Sequence, residues 1–123
     1  MKKRIWLTEP ETHDYPAAQD YLELLYPTAI AADIAQRLQQ CPTVLKKAKD
    51  ILRASELPLL GKSNTHVLED IQKVKDGHKL SPILLVRDKK LVIADGYHRV
   101  CAIYYLSEDL EVPCRIADKD KNV

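Results

Sequence analysis

Apolar positions along the chain recur at two spacings, and the change between them divides it. Ile5-Trp6-Leu7, closed off by Glu9-Pro10, is predicted as a short first strand. Pro16 then opens a helical stretch in which Ala17, Tyr21, Leu24 and Leu25 share a face. After Pro27-Thr28, a second helical stripe runs through Ile30, Ala31, Ile34, Ala35 and Leu38. Cys41-Pro42-Thr43 ends it and starts a predicted third helix, with Val44, Leu45, Ala48, Ile51 and Leu52 on one side. Lys46, Lys47, Lys49 and Asp50 fill the other side, as on a solvated helix face. The first half of the chain reads as helical scaffold.

Proline and glycine in Leu57-Pro58-Leu59-Leu60-Gly61 break that pattern. The polar turn Lys62-Ser63-Asn64-Thr65-His66 precedes Val67, Leu68, Ile71 and Val74, again at helical spacing. Ser63, Asn64 or Thr65 would cap this helix, and Asp76-Gly77-His78 closes it. Two continuous apolar runs follow, Ile83-Leu84-Leu85-Val86 and Leu91-Val92-Ile93-Ala94, joined by the charged Arg87-Asp88-Lys89-Lys90. That arrangement predicts an antiparallel hairpin. Residues 97–106 form a helix apolar on most sides, which implies burial. Glu111-Val112-Pro113-Cys114-Arg115-Ile116 supplies a last strand, and Ala117 to Val123 reads as a charged, frayed end. The expectation is one α+β domain over 1–123, with a helical N-terminal half (1–60) packed on a small mixed sheet (61–117).

A chain of 123 residues is long enough to bury one hydrophobic core without staples. No run approaches the roughly 18 apolar residues of a membrane span. Met1-Lys2-Lys3-Arg4 has the basic start of a signal peptide, but no apolar stretch follows it, so the expected location is cytoplasmic. A net charge of +1 gives no broad electrostatic footprint for nucleic acid and leaves DNA a weakly supported partner. Cys41, Cys101 and Cys114 sit far apart and read as packed thiols rather than as a disulfide or zinc framework.

Candidate chemistry concentrates where the second apolar run meets the last helix, in Asp95-Gly96-Tyr97-His98-Arg99. The first amides of a helix lack intrahelical partners, and the aligned peptide dipoles make that end partly positive. A phosphate would find fixed donors there, from Gly96 through Tyr97, and a guanidinium fork from Arg99. His98 carries an imidazole, which donates to phosphate or moves a proton near neutrality. Asp95 has three candidate roles: capping the helix, holding Mg²⁺ on a nucleotide, or acting as a base. Lys62, Asn64 and His66 either cap and solvate their own turn or line the same pocket.

From Val67 through Ile116 the sequence resembles the ParB/sulfiredoxin superfamily. The resemblance rests on the helix, Ser81-Pro82-Ile83-Leu84-Leu85-Val86, the second strand, the Asp95–Arg99 turn, Ala102 three residues beyond it, and the closing strand. It implies nucleotide binding, with phosphates at Gly96 to Arg99. Sulfiredoxins carry a catalytic cysteine where this chain has Tyr97, so sulfinic-acid reduction is not implied. Free-serine kinases of the superfamily have a D-G-H-H-R turn that Asp95 to Arg99 match except at Tyr97. They also need a glutamate nearer the N-terminus, for which Glu9, Glu11 and Glu23 are candidates. Partition proteins continue into DNA-binding and dimerisation segments, so a complete partition protein is not expected.

Two functions follow from this resemblance. One is a small phosphotransferase or nucleoside triphosphatase acting on a nucleoside di- or triphosphate with Mg²⁺, with a small molecule as possible acceptor. The other is a non-catalytic module that senses nucleotide or contacts DNA.

Overall fold

The computed structural model describes residues 5–120, so the basic Met1–Arg4 start and the final residues 121–123 lie outside it. Its elements are α1 (Asp14–Leu22), α2 (Thr28–Gln40), β1 (Val44–Lys47), α3 (Ala48–Ser55), α4 (Thr65–Lys75), β2 (Ile83–Arg87), β3 (Leu91–Asp95), α5 (Tyr97–Leu106) and β4 (Glu111–Asp118). The four strands form one mixed sheet in the order β1-β4-β2-β3. β2 and β3 are the antiparallel hairpin, while β4 runs parallel to β2 and antiparallel to β1.

Side chains alternate across a strand, so a strand covered on both faces must be apolar throughout. β2 meets that condition. Ile83 and Leu85 pack with Ile51, Val67, Ile71, Val100 and Ile103 of α3, α4 and α5, whereas Leu84 and Val86 pack with Ala18, Leu22, Ile34 and Leu38 of α1 and α2. The fold is therefore α+β, with helices on both faces of a small mixed sheet and two apolar cores sharing β2.

Four expectations need correction. Ile5-Trp6-Leu7 forms only an isolated bridge, Trp6 opposite Leu80, because no further residues extend the pairing. The first helix starts at Asp14, two residues before Pro16, and stops at Leu22, which leaves Leu24 and Leu25 exposed beyond its end. Val44 to Lys47 are not helical: they pair with Cys114 to Glu111 as an exposed edge strand, and the helix begins only at Ala48. Sheet pairing overrides the helical spacing there, and lysines on a short edge discourage further strand addition. Finally, Ala117 is not frayed; it is buried opposite Val86 at the end of β4.

The candidate site at the start of α5

Gly96 joins β3 to α5 with φ of 113°, a left-handed conformation that other residues rarely adopt. A Cβ there would collide with Ile83 Cδ1 and lie 2.9 Å from Arg99 Nη2. Glycine is thus required by backbone angle and by space. It also leaves the first turn of α5 without a side-chain cap, so the helix start is open to another acceptor. On the strand side, Leu84 opposes Asp95 and Leu85 opposes Ile93, which leaves Ala94 as the extra residue of a bulge. Bulges of this kind redirect the next side chain, here Asp95.

Arg99 Nη2 donates to Asp95 Oδ2 at 2.9 Å and to the Pro82 carbonyl at 3.4 Å. Both side chains of the ion pair are more than four-fifths buried. The guanidinium is therefore held by an internal carboxylate, yet its Nε is buried without a hydrogen-bond partner among the described residues. Beside it lies a cleft of about 210 Å³, lined by His66, Glu69, Asp70, Lys73, Asp95, Gly96, His98 and Arg99. Across this cleft the His66 and His98 rings stand 4.9 Å apart between centroids.

The cleft is not the simple cationic notch that the turn alone suggests. Lys73 and Arg99 face three carboxyl groups, Glu69, Asp70 and Asp95. Lys73 Nζ is 3.9 Å from Asp70, and His66 Nδ1 is 3.7 Å from Glu69. Burial pushes the Asp95 carboxyl above the usual range, opposed by the charge and hydrogen bond of Arg99. Asp70 is raised for the same reason, with Lys73, Arg99 and His98 pulling it back.

A second pocket, of about 390 Å³, lies against the same turn on its α1 side. Its walls are Ala17, Tyr21, Leu57 and residues 93–98. A third groove, about 580 Å³ between α3 and α5, does not include the turn; its charged lining is Lys49, Arg53, Glu56 and Glu108.

Of the residues the sequence singles out, His66, Asp95, Gly96, His98 and Arg99 meet in the polar cleft, and Tyr97 lines the neighbouring pocket. The Tyr97 hydroxyl donates to the Pro58 carbonyl. Asn64 is spent on the cap of α4, accepting from the His66 and Val67 amides, and the exposed Lys62 lines neither pocket. Glu9 approaches Arg115, Glu11 pairs with His13, and Glu23 accepts from Gln19, and none of the three lines the cleft. Sequence reasoning missed Glu69, Asp70 and Lys73. They were legible as positions 66, 69, 70 and 73 on one polar face of α4. It also missed Asp14, whose buried carboxylate accepts from Ser81 Oγ and the Glu11 amide, because that contact joins residues 67 apart.

Fold and site together define an α+β protein with a polar cleft at a glycine-led helix start. Comparison with protein-family models, curated proteins and solved structures finds no match to this chain. Among the described residues no helix is long and apolar enough to cross a membrane.

Proposed function

We propose that this chain is a ParB/sulfiredoxin-like protein that binds a nucleoside di- or triphosphate with Mg²⁺ and transfers or hydrolyses its terminal phosphate. The observation that carries the reading is the uncapped start of α5. Gly96 puts no side chain in front of its amides, and the adjoining cleft gathers Arg99, Lys73, His66 and His98. A phosphate at such a position is stabilised by the amides and the helix dipole.

The composition of the cleft bears on how the nucleotide arrives. Three carboxyl groups against two permanent cations disfavour a bare polyphosphate, so the ligand brings its own cation. Mg²⁺ suits this, since it commonly keeps its waters and binds through substrate phosphates plus one or two carboxylates. Asp95 is the carboxylate nearest the turn. Among the described residues no group of three or more His, Cys, Asp or Glu is placed to hold a metal unaided, which fits delivery on phosphate. Phosphoryl transfer itself asks mainly for positioning and charge stabilisation, the roles assigned to the amides, Arg99 and His98. Tyr97 and the buried Cys101 offer no thiolate to the turn, so sulfur chemistry is not part of the reading.

Thermal denaturation with ATP, ADP, CTP and GTP, each with and without Mg²⁺, tests the proposal. A ligand at about 100 times its Kd adds about 2.7 kcal/mol to native stability. The expected result is a Mg²⁺-dependent rise with at least one triphosphate, weakened in Arg99→Lys and Lys73→Ala. No rise with any nucleotide discards the reading; a rise without phosphate release leaves a nucleotide-sensing module.

A further inference from the structure

We infer that the groove between α3 and α5 binds a free α-amino acid with a large apolar side chain. Its α-carboxylate pairs with Arg53 and its α-ammonium with Glu56, while its side chain lies on an apolar floor. The inference is independent of the nucleotide reading, because this groove does not include the Gly96 turn.

The spacing along α3 builds one wall. Side chains three and four positions apart are neighbours on a helix surface, so positions 49, 52, 53 and 56 form one stripe. Here they are Lys49, Leu52, Arg53 and, at the residue that ends the helix, Glu56. All four line the groove, with Leu57 and Leu59 from the segment after α3 and Tyr104 from α5. Its volume of about 580 Å³ suits a small molecule, since such pockets span roughly 300–1,000 Å³.

Glu56 supplies a second observation. Its φ of 58° and ψ of 23° are left-handed, and among the described residues it is the only one besides glycine with a positive φ. Helices commonly end in this conformation, but on glycine or asparagine. A carboxylate kept at such a position, where it lines a groove, points to a ligand clamp.

The two cations of the wall are not equivalent. Lys49 Nζ is 2.8 Å from Asp109 and is committed to it. Arg53 has a side chain 81% exposed and meets Asp50 only at 3.6 Å, a surface pair of little worth that a ligand can replace. Its planar fork also matches a carboxylate better than an ammonium group would. Arg53 and Glu56 therefore offer opposite charges side by side. A carboxylate and an ammonium on one carbon fit that spacing, whereas the termini of an extended peptide are too far apart. The side chain of the amino acid then covers Leu52, Leu57, Leu59 and Tyr104, of which Leu59 is 38% exposed. Burial of apolar surface favours a large side chain over a methyl group.

Isothermal titration calorimetry at millimolar ligand tests this with L-phenylalanine, L-leucine, L-alanine, L-phenylalanine amide and N-acetyl-L-phenylalanine. Phenylalanine and leucine should bind, and alanine and the two capped forms should bind about tenfold or more weakly, each having lost the apolar body or one charge. Arg53→Gln should weaken phenylalanine about tenfold yet leave the amide unchanged, because the amide has no carboxylate to lose. Glu56→Gln should weaken phenylalanine and leave the N-acetyl form unchanged. Amide chemical shifts in the unaltered protein should move at Leu57, Leu59 and Tyr104. Capped forms that bind as well as phenylalanine, variants that lose all ligands equally, or shifts confined to other residues would overturn the site, as would no binding by either large amino acid.

Discussion

Arg99 Nη2 sits 2.9 Å from Asp95 Oδ2 across the glycine that joins β3 to α5, with both side chains largely withdrawn from water. One pair thus fixes the end of a strand to the start of a helix. It also holds in place two of the groups that line the polar cleft.

Breaking the pair from one side leaves a buried charge without its partner. Arg99→Met should cost about 3 kcal/mol in urea denaturation, because an uncompensated buried carboxylate is costly. The double variant Arg99→Met with Asp95→Asn should recover most of that loss, since both charges are then gone. Additive losses in the cycle would show that the two side chains do not interact energetically.

Gly96→Ala tests the turn itself. A Cβ would need a left-handed backbone that alanine adopts at about 1–2 kcal/mol and would collide with Ile83 Cδ1. The variant should therefore lose more than the backbone cost alone. Adding Ile83→Val removes the colliding methyl and should return part of the loss, although Ile83→Val by itself costs about 1 kcal/mol. Thermal or urea unfolding of the three variants reads this directly. An unchanged Gly96→Ala protein would mean that the turn does not have this geometry.

Much of this architecture is legible in the sequence where local pattern and final environment agree. The α5 range, the hairpin and the α2 stripe follow from periodicity because burial in those elements acts on each residue in turn. The misread stretches are those decided by partners distant in the chain. Val44 and Leu45 have helical spacing with Ala48 and Ile51, but β4, some 70 residues on, recruits them into the sheet. At the site, the turn from Asp95 to Arg99 announces itself, whereas the carboxyl groups that temper its charge come from α4. Their contribution is visible only once α4 packs beside α5, although their shared face on α4 could have been read from the spacing.

The corner between α1 and α2 is tied to the hairpin by Tyr26, whose hydroxyl donates to Asp88 at 2.6 Å. That bond lowers the Asp88 carboxyl below its ordinary value of 3.8, while burial, and after it the same bond, raises the Tyr26 phenol. A carboxylate held low when folded contributes stability above its unfolded value, and loses it as pH falls through the folded value. Tyr26→Phe should thus cost about 1 kcal/mol at neutral pH, a modest figure because the pair is exposed. Denaturation midpoints of the two proteins should draw together as pH falls from 3.8 through the lower folded value, below which the carboxyl is protonated in the folded chain as well. A constant difference across that range would assign the loss to packing instead.

Asp70 makes the opposite case. Its side chain is mostly buried on the cleft face of α4, and desolvation raises its carboxyl above the ordinary 3.8 despite Lys73, Arg99 and His98. A carboxyl raised on folding favours the native state below its unfolded value, and that contribution is lost as pH rises through the folded value. Asp70→Asn removes the ionisation while keeping a similar shape. The variant and the parent should therefore have matching pH slopes below 3.8, and the variant should gain relative stability as pH climbs through the raised value. Urea denaturation at closely spaced pH values measures the difference. A gain that grows in the other direction would mean that the basic groups around Asp70 outweigh its burial. Asp70 would then be a stabilising anchor of the cleft rather than a group under strain there.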